Sequence, residues 1–423
     1  MKKVFSIITM GMILIGTKVP AAGPKMTLLD CFQSALKKSE TIPISDAEIT
    51  AARGRYAQAL GSILPQLSIN ASEFLQDTSG NSSADSTIGS TFTRFSRPEV
   101  AITLNQPIFQ GVRAVSALKM ASADRARQNF LRKDAERLLF QDVSAAFYVL
   151  AKIERDIATT NRILQAERSR LSEVRKRVDL GKSRTSELLA QETDLSLLEG
   201  ELEIKKGKKR IAYEMMSFLT GLDPQPPIEI KNYPTGNLKS LDDYVSAVSK
   251  RDDILAIQKN ADIARGNVGL KKSDLYPQID AEANYYPYRV GFQKEIKWDA
   301  LFTLNLPIFN WETYGALREA KAEAKEAELE AGRAGRQAVS DVKKAYAAYQ
   351  SSKNRFVQFS LAAKKARESY LAQLDDFRLG LVNNLDVIQS QKIWLTALRE
   401  HDSAEIQSRI DWTTLQITAG VAP

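Results

Sequence analysis

The chain writes one phrase twice. "LNQPIFQG" runs from Leu104 to Gly111, and "LNLPIFNW" from Leu304 to Trp311, each just before a long Ala-rich, charged stretch. The repetition reaches much further. "LDCFQSALKKSETI" (29–42) is matched by "LDDYVSAVSKRDDI" (241–254) at an offset of 212, which also carries Pro65-Gln66 onto Pro277-Gln278. Pro107-Ile108-Phe109 maps onto Pro307-Ile308-Phe309 at offset 200, and "VDLGKSRTSELL" onto "FRLGLVNNLDVI" at offset 199, which places Gly181 on Gly380. The offset changes between Gln66 and Pro107, so the first half holds about twelve extra residues, in the polar stretch "DTSGNSSADSTIGST", read as an exposed loop. Such a duplication demands a fold with two equivalent sets of elements related by pseudo-symmetry. The halves are residues 24–221 and 241–423, joined by a Pro-rich segment at 222–240.

Each half follows one order: helices, strand, loop, strand, long helix, Gly turn, long helix. No Pro occurs from Gly111 to Asp179. Within that span Ile153, Ile157, Thr160, Leu164, Glu167, Leu171, Val174 and Val178 step by four and three, a coiled-coil seam. Ala320, Ala324, Ala327, Ala331, Ala334 and Ala338 repeat the stepping in the second half, and Ala there lets helices approach closely. A helix over 111–179 would be roughly 100 Å long. Gly181 and Gly380 read as its C-terminal stop and that of the helix over 311–379. A second helix returns each time, over about 185–219 and 384–419. On the helices alone, a coiled-coil rod would be the simplest fold.

The strands argue otherwise. Around 64–75, Leu67, Ile69 and Ala71 alternate with Gln66, Ser68, Asn70 and Ser72. Around 98–107, Val100, Ile102 and Leu104 alternate with Glu99, Thr103 and Asn105. The segments near 276–288 and 297–306 do the same, with Ile279, Ala281, Ala283 and Tyr285, then Trp298, Ala300, Phe302 and Leu304, on the apolar face. Strands of about ten residues with one apolar and one wet face fit an outer-membrane barrel. An ordinary half-buried antiparallel sheet gives the same alternation. Phe74, Phe109, Tyr285, Tyr286, Tyr288, Trp298 and Phe309 gather near strand ends, where aromatic girdles belong. Four strands are too few to close a barrel, and an open edge cannot face lipid, so several chains must share one barrel if these strands span a membrane. Pro107 and Pro307 then mark the junctions where each ladder ends and the chain turns into helix.

Composition narrows the chemistry. "MKK", an apolar run and "VPAAG" read as a secretory signal peptide over 1–23. Its removal takes Lys2, Lys3 and Lys18 and lowers the net charge from +8 to +5, spread along helices, which gives no case for nucleic acid. After it, no apolar run reaches the roughly 18 residues of a membrane-spanning helix. One Cys (Cys31) and one His (His401) cannot build a disulfide or a usual zinc site. His401 lies in the charged run "LREHDSAE" and reads as a surface histidine. "GNVG" and "GRAG" are isolated, and the paired acids Asp252-Asp253 and Asp375-Asp376 point to different helix faces. No catalytic constellation, cofactor motif or metal set emerges.

The motifs "LPQLSI" and "YPQIDA" at strand starts, "NQPIFQG" and "NLPIFNW" at strand ends, and "DLGKSRTSELL" and "RLGLVNNLDVI" at the turns resemble the TolC family of outer-membrane efflux and secretion channels. The resemblance covers nearly the whole chain after the leader. It implies a mainly α fold with a β-barrel part: a long antiparallel coiled-coil α-helical barrel plus four transmembrane strands per protomer, in two internal repeats. It implies a homotrimer in outer-membrane lipid with a periplasmic extension, partnered by a periplasmic adaptor and an inner-membrane transporter, and no enzyme. It also assigns candidate residues. Asp386 matches the family's main acidic gate ring, with Gln389 one turn on where an acid is common, and Glu187 corresponds to Asp386 in the first half. The family's basic tip residue falls on Val382, which cannot form that link, while the first half's turn carries Arg184; a pairing of Arg184 with Asp386 or Glu187 is expected in the closed state. Asp386 would equally favour the helix dipole, or an Asn383–Asp386 cap. The turns at Leu180-Gly181 and Leu379-Gly380 match the adaptor-docking tips. The competing reading is a periplasmic or surface coiled-coil scaffold.

Overall fold

The computed structural model describes residues 25–77, 95–223, 226–230, 238–291, 293–382 and 384–421. The proposed leader and nearly all of the polar first-half loop lie outside the described residues. Each half opens on the same local device. The Thr27 hydroxyl accepts the Asp30 N–H at 3.3 Å while the Asp30 carboxylate accepts the Thr27 N–H at 2.9 Å, starting helix α1 (Leu28–Lys38). Ser240 and Asp243 repeat this capping box at the start of α5 (Leu241–Ala247). Two donors left over at a helix start are thereby satisfied reciprocally.

The first half continues with α2 (Thr41–Gly61), β1 (Gln66–Leu75), β2 (Ser96–Phe109), α3 (Arg113–Asp179) and α4 (Thr185–Thr220). After α5 and a 3₁₀ turn (Val248–Lys250), the second half continues with α6 (Asp252–Ser273), β3 (Gln278–Arg289), β4 (Trp298–Asn305), α7 (Trp311–Arg378) and α8 (Asn384–Thr418). The described chain divides into two compact units, which do not coincide with the two halves. The first, helical unit draws on Met1–Ser39, Phe140–Gly236 and Ser352–Ile410; the second, with all four strands, draws on Glu40–Leu139, Asn237–Ser351 and Asp411–Pro423. Each unit uses both halves because α3 and α7, of 67 and 68 residues, each run from one into the other.

In the second unit the strands form one antiparallel sheet in the order β1-β2-β3-β4. The halves meet between β2 and β3. Register sorts the faces. Ile69, Ile102, Tyr285 and Trp298 stand in one row across the sheet, and Leu67, Leu104, Ala283 and Ala300 in the next. The opposite face carries a hydrogen-bonded row. Asn70 Nδ2 donates to Thr103 Oγ1 at 3.2 Å, Thr103 Oγ1 to Asn284 Oδ1 at 2.7 Å, and Asn284 Nδ2 to Asp299 Oδ1 at 3.1 Å.

Two expectations change here. Pro107 does not end its strand: β2 runs on to Phe109 through a register shift against β3. Pairing with β1 stops at Asn105, so beyond it β2 has a neighbour on one side only, β3, where Pro107 stands opposite Asp280 beside the shift. Pro307, in contrast, lies past the end of β4. Tyr286 does not join an exposed girdle. It is buried, donates to Asp299 Oδ2 at 2.9 Å, and has the Arg289 guanidinium 4.0 Å from its ring, itself paired with Glu99 at 2.6 Å. A second register shift lies opposite, between Val100 and Ile102, next to Pro287 of β3.

Glycine sets two close approaches in this unit. Gly111, at the turn into α3, has φ +57°, and a Cβ there would lie 2.6 Å from Tyr276 Cβ. "GNVG" is a helix crossing: Cβ atoms on Gly266 and Gly269 would come within 2.2 Å of Met120 and Ser116 of α3. The Ala row of α7 is inward, with Ala320, Ala324, Ala327 and Ala338 buried. Across α5, α7 and α8, Tyr349 packs on Trp412 at 5.0 Å, Gln416 donates to the Tyr244 hydroxyl at 3.0 Å, and Arg251 donates to the Thr418 carbonyl at 2.7 Å.

Gly111→Ala combines a left-handed backbone with an immovable neighbour and should destabilise by about 2 kcal/mol or more. Gly54→Ala, in an open stretch of α2 with nothing near its Cβ position, should be neutral or stabilise by up to about 1 kcal/mol. Thermal unfolding of the two variants side by side checks the contrast.

Candidate functional site

Both Gly turns belong to the helical unit, and both are closed in the same way. After α3, the Lys182 N–H reaches the Arg177 carbonyl at 2.7 Å and the Gly181 N–H the Val178 carbonyl at 2.9 Å. After α7, Leu381 N–H reaches Asp376 at 2.9 Å and Gly380 N–H reaches Phe377 at 3.1 Å. These are paired 6→1 and 5→2 bonds, a Schellman closure, and they require the left-handed φ of +69° at Gly181 and +77° at Gly380. The flanking Leu180, Leu379, Leu381 and Leu385 are exposed.

The closures touch. The Arg177 guanidinium lies 3.9 Å from the Phe377 ring centre, and Arg170, one heptad earlier, lies 5.0 Å from it. The residues whose carbonyls hold the two turns are thus stacked on each other, a contact worth up to about 2 kcal/mol when desolvated. Phe377 and Arg170 are both buried.

Each returning helix starts with an acid in its first turn: Glu187 in α4 and Asp386 in α8. Glu187 accepts the Ser183 hydroxyl at 2.7 Å. Arg184 caps α4 with its backbone only, and among the described residues it makes no ion pair with Asp386 or Glu187 within the chain. Asp386 and Gln389 are exposed, whereas Val387 between them is fully buried. Asn383, the other half of the expected Asp386 cap, lies outside the described residues.

Above the turns the helix interior is polar, which an apolar seam reading missed. Glu167 accepts from Gln191 of α4 and, at 3.1 Å, from Gln391 of α8. Lys205 donates to Thr160 at 2.8 Å and pairs with Glu201 at 2.9 Å; Glu201 also takes Arg399 at 3.1 Å. Buried Thr159 donates to Asp402 at 2.5 Å. Arg155 and Arg409 hold Glu405 at 2.5 and 2.9 Å. Partner numbers on α3 fall as those on α4 and α8 rise, so α3 runs antiparallel to both, while Asp194–Lys392 and Glu201–Arg399 show α4 and α8 running parallel. The signal was present in the sequence: Thr160 and Glu167 occupy seam positions that apolar residues would otherwise fill.

Burial sets the charges of this network. It pushes the Glu167 carboxyl above its usual value, against the bond from Gln191. Burial acts the same way on Glu405, but Arg155 and Arg409 outweigh it and hold that carboxyl below the usual range. His401 is half-buried rather than a surface residue, with its ring 5.4 Å from Phe356 and Nδ1 3.2 Å from Asp402. Cys31 is buried in α1, where burial pushes its thiol up to about 12, so it is inert at neutral pH. Among the described residues no group of His, Cys, Asp and Glu could hold a metal ion, and no helix is long and apolar enough to cross a membrane.

Comparison with known proteins places this arrangement. Residues 31–222 and 244–421 match the family described as outer membrane efflux protein. The alkaline protease secretion protein AprF of Pseudomonas aeruginosa is 22% identical over 181 residues, 41% of this chain and 38% of that protein. The alignment therefore spans well under half of AprF. The CmeC outer membrane channel of Campylobacter jejuni is similar in structure with a TM-score of 0.82 at 14% identity, over 93% of this chain and 85% of that one. VceC, an outer membrane protein of Vibrio cholerae, gives 0.81 at 19% identity, over 93% and 96%. At such identities these likenesses show the fold.

Glu167 yields a pH test. A carboxyl raised in the folded state binds more protons folded than unfolded, so its contribution to stability grows as pH falls through the raised value and levels off below the ordinary carboxylate range. Glu167→Gln mimics the protonated form. Its thermal midpoint should exceed that of the unmodified protein at pH 8, and the gap should close as pH falls towards 4. A gap independent of pH would remove Glu167 as its source.

Proposed function

The chain belongs to the outer membrane efflux protein family, and from that premise we propose that it is the trimeric outer-membrane exit duct of a tripartite efflux pump or a type I secretion system. The sheet carries this reading. Leu67, Ile69, Phe302 and Leu304 on its apolar face are between 66% and 72% exposed, its other face is hydrogen-bonded, and among the described residues β1 and β4 each have one partner strand. Lipid covers such an apolar face, and three copies cover the edges by joining into one twelve-stranded barrel. The leader over 1–23 would export the chain.

The helices give independent support for a second copy as neighbour. Leu197, Ile204, Ile211 and Phe218 of α4 recur every seven residues, and all are between 62% and 82% exposed. A heptad row of large apolar side chains left in water is a coiled-coil seam without its partner.

In this reading transport is passive, with energy from an inner-membrane transporter linked through a periplasmic adaptor. The turns at Gly181 and Gly380, with Leu180 and Leu379 displayed beside them, serve as the docking tip. In this reading Asp386, Gln389 and Glu187 line the mouth, and Arg184, which has no ion pair among the described residues of one chain, pairs with Asp386 or Glu187 of a neighbouring copy in the closed state. The AprF similarity supports secretion as one of the two uses.

The mass of the detergent-extracted particle, with bound detergent subtracted, tests the assembly. Three copies from the outer-membrane fraction are expected, and Ile211→Asp should shift the particle towards single chains. Single chains of the unmodified protein, recovered without membrane, would favour the scaffold reading. At the mouth, Asp386→Asn should weaken block by a cobalt-amine cation in single-channel recordings about tenfold or more, since a ring of three charges acts together. Unchanged block would remove Asp386 from the mouth.

A further inference from the structure

The helical unit holds a groove that neither the turns nor the heptad row accounts for. It has a volume of about 480 Å³ and lies between α3, α7 and α8. Its lining sorts by burial. Leu395 is buried, Trp394 and Leu398 are half-buried, and Arg162, Lys364 and Arg367 are exposed at its edge. Lys364 and Arg367 are three apart on α7 and therefore share a face; Arg162 comes from α3. The result is an apolar floor with a cationic rim.

The three cations are spare. Among the described residues none of them has an ion-pair partner, although Arg155, Arg168, Arg175 and Arg399 of the same unit each hold a carboxylate. The nearest acid on α7, Glu368, is bonded to Lys365 at 2.9 Å. The charge of Lys364 reaches it and helps lower its carboxyl, after the larger effect of Lys365. Three exposed like charges around one hollow give its edge a positive potential that favours an anion over a cation. Trp394 is stacked on Tyr370 at 5.2 Å and 13°, which fixes the plane of its indole ring. The volume far exceeds the roughly 30 Å³ share of one water and falls in the range of small-molecule sites. An inorganic ion would fill a corner and leave Trp394, Leu395 and Leu398 uncovered.

We propose that this groove binds an amphiphilic organic anion, with its carboxylate or sulfonate among Arg162, Lys364 and Arg367 and its apolar body on Trp394, Leu395 and Leu398. The charge-assisted contacts set orientation, and the apolar floor supplies most of the area. The site belongs to one chain and does not rest on the duct reading; a passive duct needs no such pocket.

Isothermal titration of the full chain in a neutral detergent tests it, with naphthalene-2-sulfonate as the probe and empty micelles as the blank. Saturable binding at one probe per chain is expected, with naphthalene-2-methanol and inorganic sulfate each at least tenfold weaker. The triple variant R162Q/K364Q/R367Q, changed only at exposed side chains, should lose at least tenfold in affinity with an unchanged helical circular-dichroism spectrum. If it fails to fold, Lys364→Gln alone should still lose about threefold. No saturable binding overturns the proposal, as does equal affinity in the folded variants. Equal affinity for the neutral alcohol would reduce the site to ring partition, and equal affinity for sulfate to a free-anion site; either result also overturns it.

Discussion

Backbone N–H and C=O groups tolerate burial in lipid only when paired. Among the described residues β1 and β4 each leave one outer edge without a neighbour, and β2 has none on its β1 side beyond Asn105. Between those edges one copy holds the sheet by three antiparallel ladders and a polar row bonded from Asn70 to Asp299, with Pro107 and Pro287 beside register shifts. The edges are the incomplete part, and the proposed threefold assembly follows from them. In the proposed assembly, edge-to-edge pairing with further copies would give β1 and β4 their second neighbours without adding a strand to the chain.

The helical unit solves a different problem. Long two-stranded seams built only of Leu and Ile can slide by a heptad at small cost, and polar side chains in the seam prevent this because a shifted register leaves them buried without partners. Thr159 with Asp402, Thr160 with Lys205, and Glu167 between Gln191 and Gln391 do this at successive levels. They tie α3 to helices of both halves. At the end of the unit Arg177 on Phe377 fastens one Gly closure to the other. The contacts at this end of the unit are thus directional bonds and a ring stack as well as apolar packing.

The two internal halves differ at their strand ends and at their turns. The strand ends illustrate it: Pro107 sits inside β2 beside its bulge, and Pro307 stands beyond β4. The turns illustrate it again, since both keep the Gly closure and a first-turn acid, while Ser183 holds Glu187 in one and Val382 stands at the matching position of the other. What persists is backbone geometry; what varies is which side chain meets which neighbour.

Local physics settles whatever depends on neighbours within a few residues, and the sequence alone determined those features. The two-residue alternation of Leu67, Ile69 and Ala71 set the apolar face, the four-and-three stepping after Ile153 set the seam, and glycine at 181 and 380 set the turns, because only glycine accepts a left-handed φ freely. Pro107, Tyr286 and His401 were misread because their settings depend on distant segments. The loss of the β1 neighbour beyond Asn105, the Asp299 carboxylate opposite Tyr286, and the Phe356 ring beside His401 lie, in the last two cases, 13 and 45 residues away. Tertiary structure alone decided the joining of β2 to β3, the polar levels across both halves, and the gathering of Arg162, Lys364 and Arg367 over Trp394. Spacing along a helix says which residues share a face, but only packing says what that face meets.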